Sequence, residues 1–285
     1  MDNFLGLPKR DSDYRRARYA LLPVPYDATA SFQTGTRWGP RAIITASQQV
    51  ELFDLEYERE FVDCGVATLD PLEPDAVPKQ MHEAVYQAAR RVVRDGKFLI
   101  ALGGEHSITS GLVRAVHERH KRLSVLQIDA HADLRDRYHG TPYSHACVMR
   151  RVVGMGVPIV GVGIRSYSVE EHRFMKRRGL TPITPRQTRE DPDWLLQALD
   201  GLSKEVYVSI DIDGFDPAYA PGTGTPEPGG LDWFQVTDLL RAVALQRAIV
   251  AADVVEVIPL PGGMQTEFLA AKLLYKLVAH IEGNR

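Results

Sequence analysis

Seven short apolar runs, separated by stretches long enough to form helices, constrain this chain more than any other feature. The runs are residues 19–23, 62–68, 98–102, 124–128, 158–162, 206–210 and 249–255. Several are near-continuous Val, Ile, Leu and Ala, the composition of parallel strands covered on both faces. Amphipathic stretches lie between them at 77–94, 108–119, 169–178, 233–245 and 266–281. In the last, Phe268, Leu273, Leu274, Leu277, Val278 and Ile281 approximate the spacing of one buried helix face. This alternation predicts an α/β fold: three layers, α/β/α, around a mainly parallel central sheet. The length, 285 residues, fits one large α/β domain or two small ones. No repeat, low-complexity tract or linker divides it, so 1–285 is read as a single domain. The Pro- and Gly-rich passages 71–78 and 217–230 read as loops, the second unusually long.

With 44% hydrophobic and 25% charged residues, the composition is that of a globular protein with a sizeable core. A net charge of −3 provides no electrostatic reason to expect nucleic acid or an anionic membrane as partner. The two cysteines, Cys64 and Cys147, cannot make a disulfide framework and fit a reducing compartment. The first residues lack the apolar run of a signal peptide, and no stretch reaches membrane-spanning length. The expected location is the cytoplasm.

In open parallel sheets, ligand chemistry collects outside the carboxyl ends of the strands. The polar clusters of this chain fall there repeatedly. "FLIALGGEHS" ends with Glu105 and His106, and "LSVLQIDAHAD" with Asp129, His131 and Asp133. "VYVSIDIDGFDP" ends with Asp211 and Asp213, and "IVAADVVEVIP" with Glu256. Alternate residues of extended chain share a face, so each group can converge. Taken singly, Asp-x-Asp is an ordinary solvated turn and His106 an ordinary residue at a helix start. Taken together, unpaired carboxylates at several ends of one sheet would repel, and so imply bound cations or compensating bases. The two imidazoles and four carboxylates, without thiolates, suit Mn²⁺ or a similar divalent ion better than structural zinc. Four carboxylates also offset the charge of two divalent ions, and such a pair can lower the pKa of a bound water.

These motifs resemble the ureohydrolases, the arginase and agmatinase family, and most of all its agmatinase branch. The resemblance runs from "PYDATASFQTGTRWGPRAI" through "GGEHS", "DAHADLRD", "HGTPYSHACVMRR" and "GVGIRS" to "SIDIDGFDPAYAPGTGTPEPGGL" and "DVVEVIP". It implies an arginase-like fold and two Mn²⁺ ions as cofactor. His106 and Asp133 would be terminal ligands of one ion, His131 and Asp213 of the other, with Asp129 and Asp211 bridging. A hydroxide between the ions, oriented by Asp133, would attack the guanidinium carbon and release an amine and urea. Glu256 would hold the guanidinium. His139 matches the family's proton-shuttling histidine, with His145 as its competitor and as a substrate-binding residue. Glu105 would hydrogen-bond a ligand, or lend negative charge to a helix start.

The implied partner is a small guanidino compound, and the implied assembly a homo-oligomer, trimer or hexamer. Agmatine, giving putrescine and urea, is the first expectation, with Asp136 facing its distal ammonium. N1-aminopropylagmatine is one alternative. Another is 4-guanidinobutyrate, whose carboxylate Arg135 could meet. The loop Leu134 to Tyr138 lacks the asparagine found there in arginases, and Ser168 stands where arginases carry an acid, which disfavours arginine. A catalytically silent relative that binds a guanidino or polyamine ligand is the alternative from outside the enzymes. The remaining histidines, His82, His117, His120, His172 and His280, are expected on helices, as surface or partly packed residues. Cys147 is expected to be a buried small hydrophobe.

Overall fold

A computed structural model describes residues 3–284. Its strands are β1 (Tyr19–Val24), β2 (Val66–Thr68), β3 (Phe98–Gly103), β4 (Leu123–Ile128), β5 (Ile159–Val162), β6 (Glu205–Asp211) and β7 (Ala248–Val255). Every expected apolar run contains a strand, although the run at 62–68 is extended only over its last three residues. The strands form one sheet in the order β2-β1-β3-β7-β6-β4-β5. All pairings are parallel, where a mainly parallel sheet was expected.

The helices are α1 (Lys9–Ser12), α2 (Gly39–Ser47), α3 (Pro78–Arg94), α4 (Thr109–Arg119) and α5 (Val148–Gly154). They continue with α6 (Val169–Arg178), α7 (Pro185–Glu190), α8 (Trp194–Asp200), α9 (Trp233–Gln246) and α10 (Gln265–Gly283). The five long amphipathic stretches are all helical. The short helices α1, α2, α7 and α8 gave no comparable periodic signal, because one or two turns contain too few apolar repeats.

Alternation along the strands builds a core on each side of the sheet. Tyr19 and Leu21 of β1 join Val206, Val208 and Ile210 of β6 under α2, α9 and α10. Ala20, Leu22 and Tyr207 face the opposite way, toward α3, α4 and α5. Burial on both faces explains why the strands read as unbroken apolar runs rather than alternating ones. His280 departs from expectation: it lies on α10 but is 1% exposed, with Nδ1 3.0 Å from the Tyr57 hydroxyl. Cys147 is fully buried, as expected. Among the described residues, no helix is long and apolar enough to cross a membrane.

Candidate metal centre

Strand register brings the polar clusters together. Neighbours β3, β7, β6 and β4 occupy the middle of the sheet. Ile128 pairs with Ile210, so Asp129 and Asp211 emerge side by side. Asp211 pairs with Val255, which places Glu256 one residue beyond the same edge. The Glu256 amide donates to the Gly104 carbonyl at 2.8 Å, aligning it with the turn that carries His106. That turn needs glycine: a Cβ on Gly104 would lie 1.9 Å from the Tyr26 carbonyl oxygen.

Asp133 and Glu256 both adopt left-handed backbone, with φ of 52° and 64°. Non-glycine residues hold that conformation only where their surroundings impose it, and such strain concentrates at functional sites.

Two donor groups form, His106–Asp129–Asp133 and Asp129–His131–Asp213, and they share Asp129. His106 Nδ1 lies 3.2, 3.1 and 3.3 Å from oxygens of Asp129, Asp133 and Asp211. Across the cluster, His131 Nδ1 lies 3.0 Å from Asp213 Oδ2 and 3.8 Å from Asp129 Oδ1. Asp129 therefore turns one oxygen toward each histidine. The four carboxylates are at most 6% exposed.

The donor set fits divalent cations on three counts. Its atoms are all nitrogen and oxygen, as hard and borderline ions require. His106 Nδ1, although ringed by carboxylates, is buried with no hydrogen bond aimed at it. The carboxylates themselves are strained without a counter-charge. Burial, and then the neighbouring Asp129 charge, raises Asp133 to about 7. Asp129 and Asp211 are raised by burial and by Asp213. Asp213 alone ends lowered: burial raises it most, but the His131 charge and hydrogen bond, the Ala130 amide and Asp211 together outweigh that.

A cavity of about 330 Å³ opens onto the cluster. His131, Asp133, Asp211, Asp213 and Glu256 line its floor; Phe32, Arg135, Tyr138 and Tyr167 lie nearer its mouth. Burial, and then the nearby Glu105 charge, raises the Glu256 carboxyl well above its usual range. Its Oε1 accepts the His106 amide at 2.7 Å.

Three expectations meet a different placement. His139 is exposed, in the turn closed by Tyr138 and Thr141, and is not among the cavity's lining residues. His145 does line the cavity, with Nδ1 3.3 Å from Thr29 Oγ1 and Nε2 3.4 Å from Ser31 Oγ. Asp136 is also outside the lining, its carboxylate committed to Arg151 at 2.7 Å. Glu105 bonds no ligand side chain; it accepts the Thr29 amide and the hydroxyls of Thr29 and Ser107. For Asp136 the deciding contact comes from an adjacent helix and for Glu105 in part from the distant Thr29, whereas His139 is set by its own tight turn.

Arg165 and Gln127 were not singled out from the sequence. Arg165 donates to the carbonyls of Asp213, Phe215 and Glu227 at 2.8, 3.3 and 2.6 Å, tying down the long Pro/Gly loop. Gln127 Nε2 donates to Asp129 Oδ2 at 2.8 Å. A single arginine in "GVGIRS" and a strand glutamine give no sequence signal for either role.

The sequence profile described as "Arginase family" matches residues 17–280. The chain belongs to the arginase family. It is 37% identical to the N(1)-aminopropylagmatine ureohydrolase of Synechocystis sp. over 94% of this chain and 90% of that protein. It is 34% identical to the agmatinase of Pyrococcus horikoshii over 93% of each. The crystal structure of agmatine ureohydrolase from Thermoplasma volcanium superposes with a TM-score of 0.88 at 36% identity, covering 96% of this chain and 93% of that one. This arginase-family member is an agmatinase-like ureohydrolase, a hydrolase of C–N bonds in amidino groups.

Proposed function

We propose that this arginase-family chain hydrolyses agmatine to putrescine and urea with two Mn²⁺ ions bound. The observation that carries this reading is the shared donor cluster at the floor of a cavity lined by Glu256. His106 and Asp133 would hold one ion and His131 and Asp213 the other, with Asp129 and Asp211 available to both. Two such ions supply a water of lowered pKa as nucleophile.

The chain's own residues supply the rest. Glu256, held by strained backbone, pairs with the planar guanidinium of the substrate. Burial and the Glu105 charge raise its carboxyl, and a bound guanidinium would favour the ionised form. Asp133 orients the nucleophile. His145, which lines the cavity, moves the proton to the departing amine in place of the exposed His139; burial is the main cause that lowers its pKa. The enzyme acts in the cytoplasm, in a route to polyamines, as a homo-oligomer of a single domain.

A second reading, N1-aminopropylagmatine as substrate, is favoured by relatives of 37% and 39% identity that bear that activity in their names. The test is urea release by Mn²⁺-reconstituted protein from agmatine, N1-aminopropylagmatine, 4-guanidinobutyrate and arginine in parallel. Preference for agmatine supports the first reading and preference for its aminopropyl derivative the second. Preference for guanidinobutyrate would overturn both and turn attention to Arg135, which lines the cavity 3.9 Å from Glu171. No urea from any substrate would leave a silent ligand-binding protein.

A further inference from the structure

Asp253 is a carboxylate at the middle of the sheet, 0% exposed, and the proposed hydrolysis makes no use of it. It sits on β7 directly opposite Ser209 of β6. Three hydroxyls converge on it: Ser209 donates to Oδ1 at 2.8 Å, and Tyr207 and Thr109 donate to Oδ2 at 2.6 and 2.8 Å. Ser209 Oγ also lies 2.9 Å from His106 Nε2. A hydroxyl has one proton. Because Ser209 gives that proton to Asp253, its oxygen is left to accept from Nε2–H of His106. The other ring nitrogen, Nδ1, is the one that faces three carboxylates without a hydrogen bond.

We propose that Asp253 is a positioning residue: acting through Ser209, it fixes His106 with its proton on Nε2, leaving the Nδ1 lone pair for a metal ion. The inference rests on the reading of His106 as a ligand, and adds what sets its orientation. A hydrogen-bonding partner behind a ligand histidine fixes its tautomer and ring plane, and losing one weakens metal affinity about 10- to 100-fold. The arrangement is one-sided. It touches His106 alone, so it acts on one of the two ions. Asn at 253 could offer an N–H to Ser209, turning the serine proton toward Nε2 and the imidazole proton toward the ion's place.

The test is equilibrium Mn²⁺ binding, with free Mn²⁺ read by electron paramagnetic resonance, for wild type, Ser209→Ala, Ser209→Thr, Asp253→Asn and the Ser209→Ala/Asp253→Asn double variant. Circular dichroism and the metal-free Tm report the fold. The expected result is a loss of about 10- to 100-fold at one site only in Ser209→Ala and in Asp253→Asn. The double variant should be no worse than the weaker single, because the two residues act in series. Ser209→Thr, which keeps the hydroxyl, should restore binding. Equal weakening of both sites, additive losses or unchanged affinity would each overturn the proposal. If Asp253→Asn does not fold, the Ser209→Ala and Ser209→Thr pair decides alone. Wild-type protein that binds no Mn²⁺ would sink the underlying metal reading instead, a separate outcome.

Discussion

The Asp136 carboxylate lies 2.7 Å from Arg151 Nη2, so the loop acid nearest the aspartate cluster in sequence is bound to helix α5 rather than turned to the cavity. The hydrogen bond from Arg151, the largest influence on it, lowers the Asp136 carboxyl. Asp136→Asn should therefore leave KM for agmatine within about twofold. With a half-exposed pair, the stability loss should stay below about 1 kcal/mol. A KM rise of tenfold or more in steady-state assays would return Asp136 to the substrate site.

The two candidate histidines separate cleanly by mutation. His145→Asn should lower kcat by about 10²- to 10⁴-fold, the usual contribution of a positioned proton carrier, and should remove one limb of the pH–rate profile. His139→Asn should change kcat by less than about threefold. The reverse pattern would assign the proton to His139 after all.

Glu256→Gln keeps the oxygen that accepts the His106 amide but loses the negative charge. A hydrogen bond to a charged group is worth about 1.5–3 kcal/mol, so kcat/KM should fall about ten- to a hundredfold. Mn²⁺ content should remain unchanged. Unaltered kcat/KM would remove Glu256 from guanidinium binding.

The metal-free protein should lose stability as pH rises from 6.5 to 8. Burial, and then the Asp129 charge, raises Asp133 to about 7; burial, with a smaller push from Asp27, drives Glu105 up to about 7 against its hydrogen bonds. For His131, burial lowers the imidazole but Asp213 reverses this, lifting it to about 11. Groups with folded pKa above the unfolded value contribute stability at low pH and lose it as pH rises through the folded value. The opposing groups, His82, His145 and His280, are lowered by burial to about 4; their unfolded forms titrate around 6.5, so their opposing slope fades as pH rises toward 8. Mn²⁺ should reverse the slope, because the ion binds the deprotonated ligands. Thermal melts at several pH values, with chelator and with Mn²⁺, check both halves.

Gly104→Ala should cost about 1–3 kcal/mol through overpacking, because its Cβ would overlap the Tyr26 carbonyl. His106, two residues on, should shift with it. The expected result is a lower Tm together with weaker Mn²⁺ binding. A Tm within 1 °C or so of wild type would show that the turn relaxes freely.

The fold class and the membership of the cluster were legible in the chain's own pattern. Strands buried on both faces leave runs such as 98–102 and 206–210 with no polar interruption, and those runs are legible without neighbours. Asp129, His131 and Asp133 stand at alternate positions just past such a run, so local geometry was enough to group them. Tertiary structure decided which of the remaining polar residues face the cavity. His139 and His145 are separated by only five residues, yet a positive φ sends one into an exposed turn while Thr29 and Ser31 hold the other inside. Asp136 was claimed by Arg151 of helix α5, fifteen residues on. Asp253 was invisible as a partner of His106 because the connection runs through a third strand. Side-chain periodicity is a property of the chain; the competition among charges and hydroxyls for partners is settled only when distant segments meet.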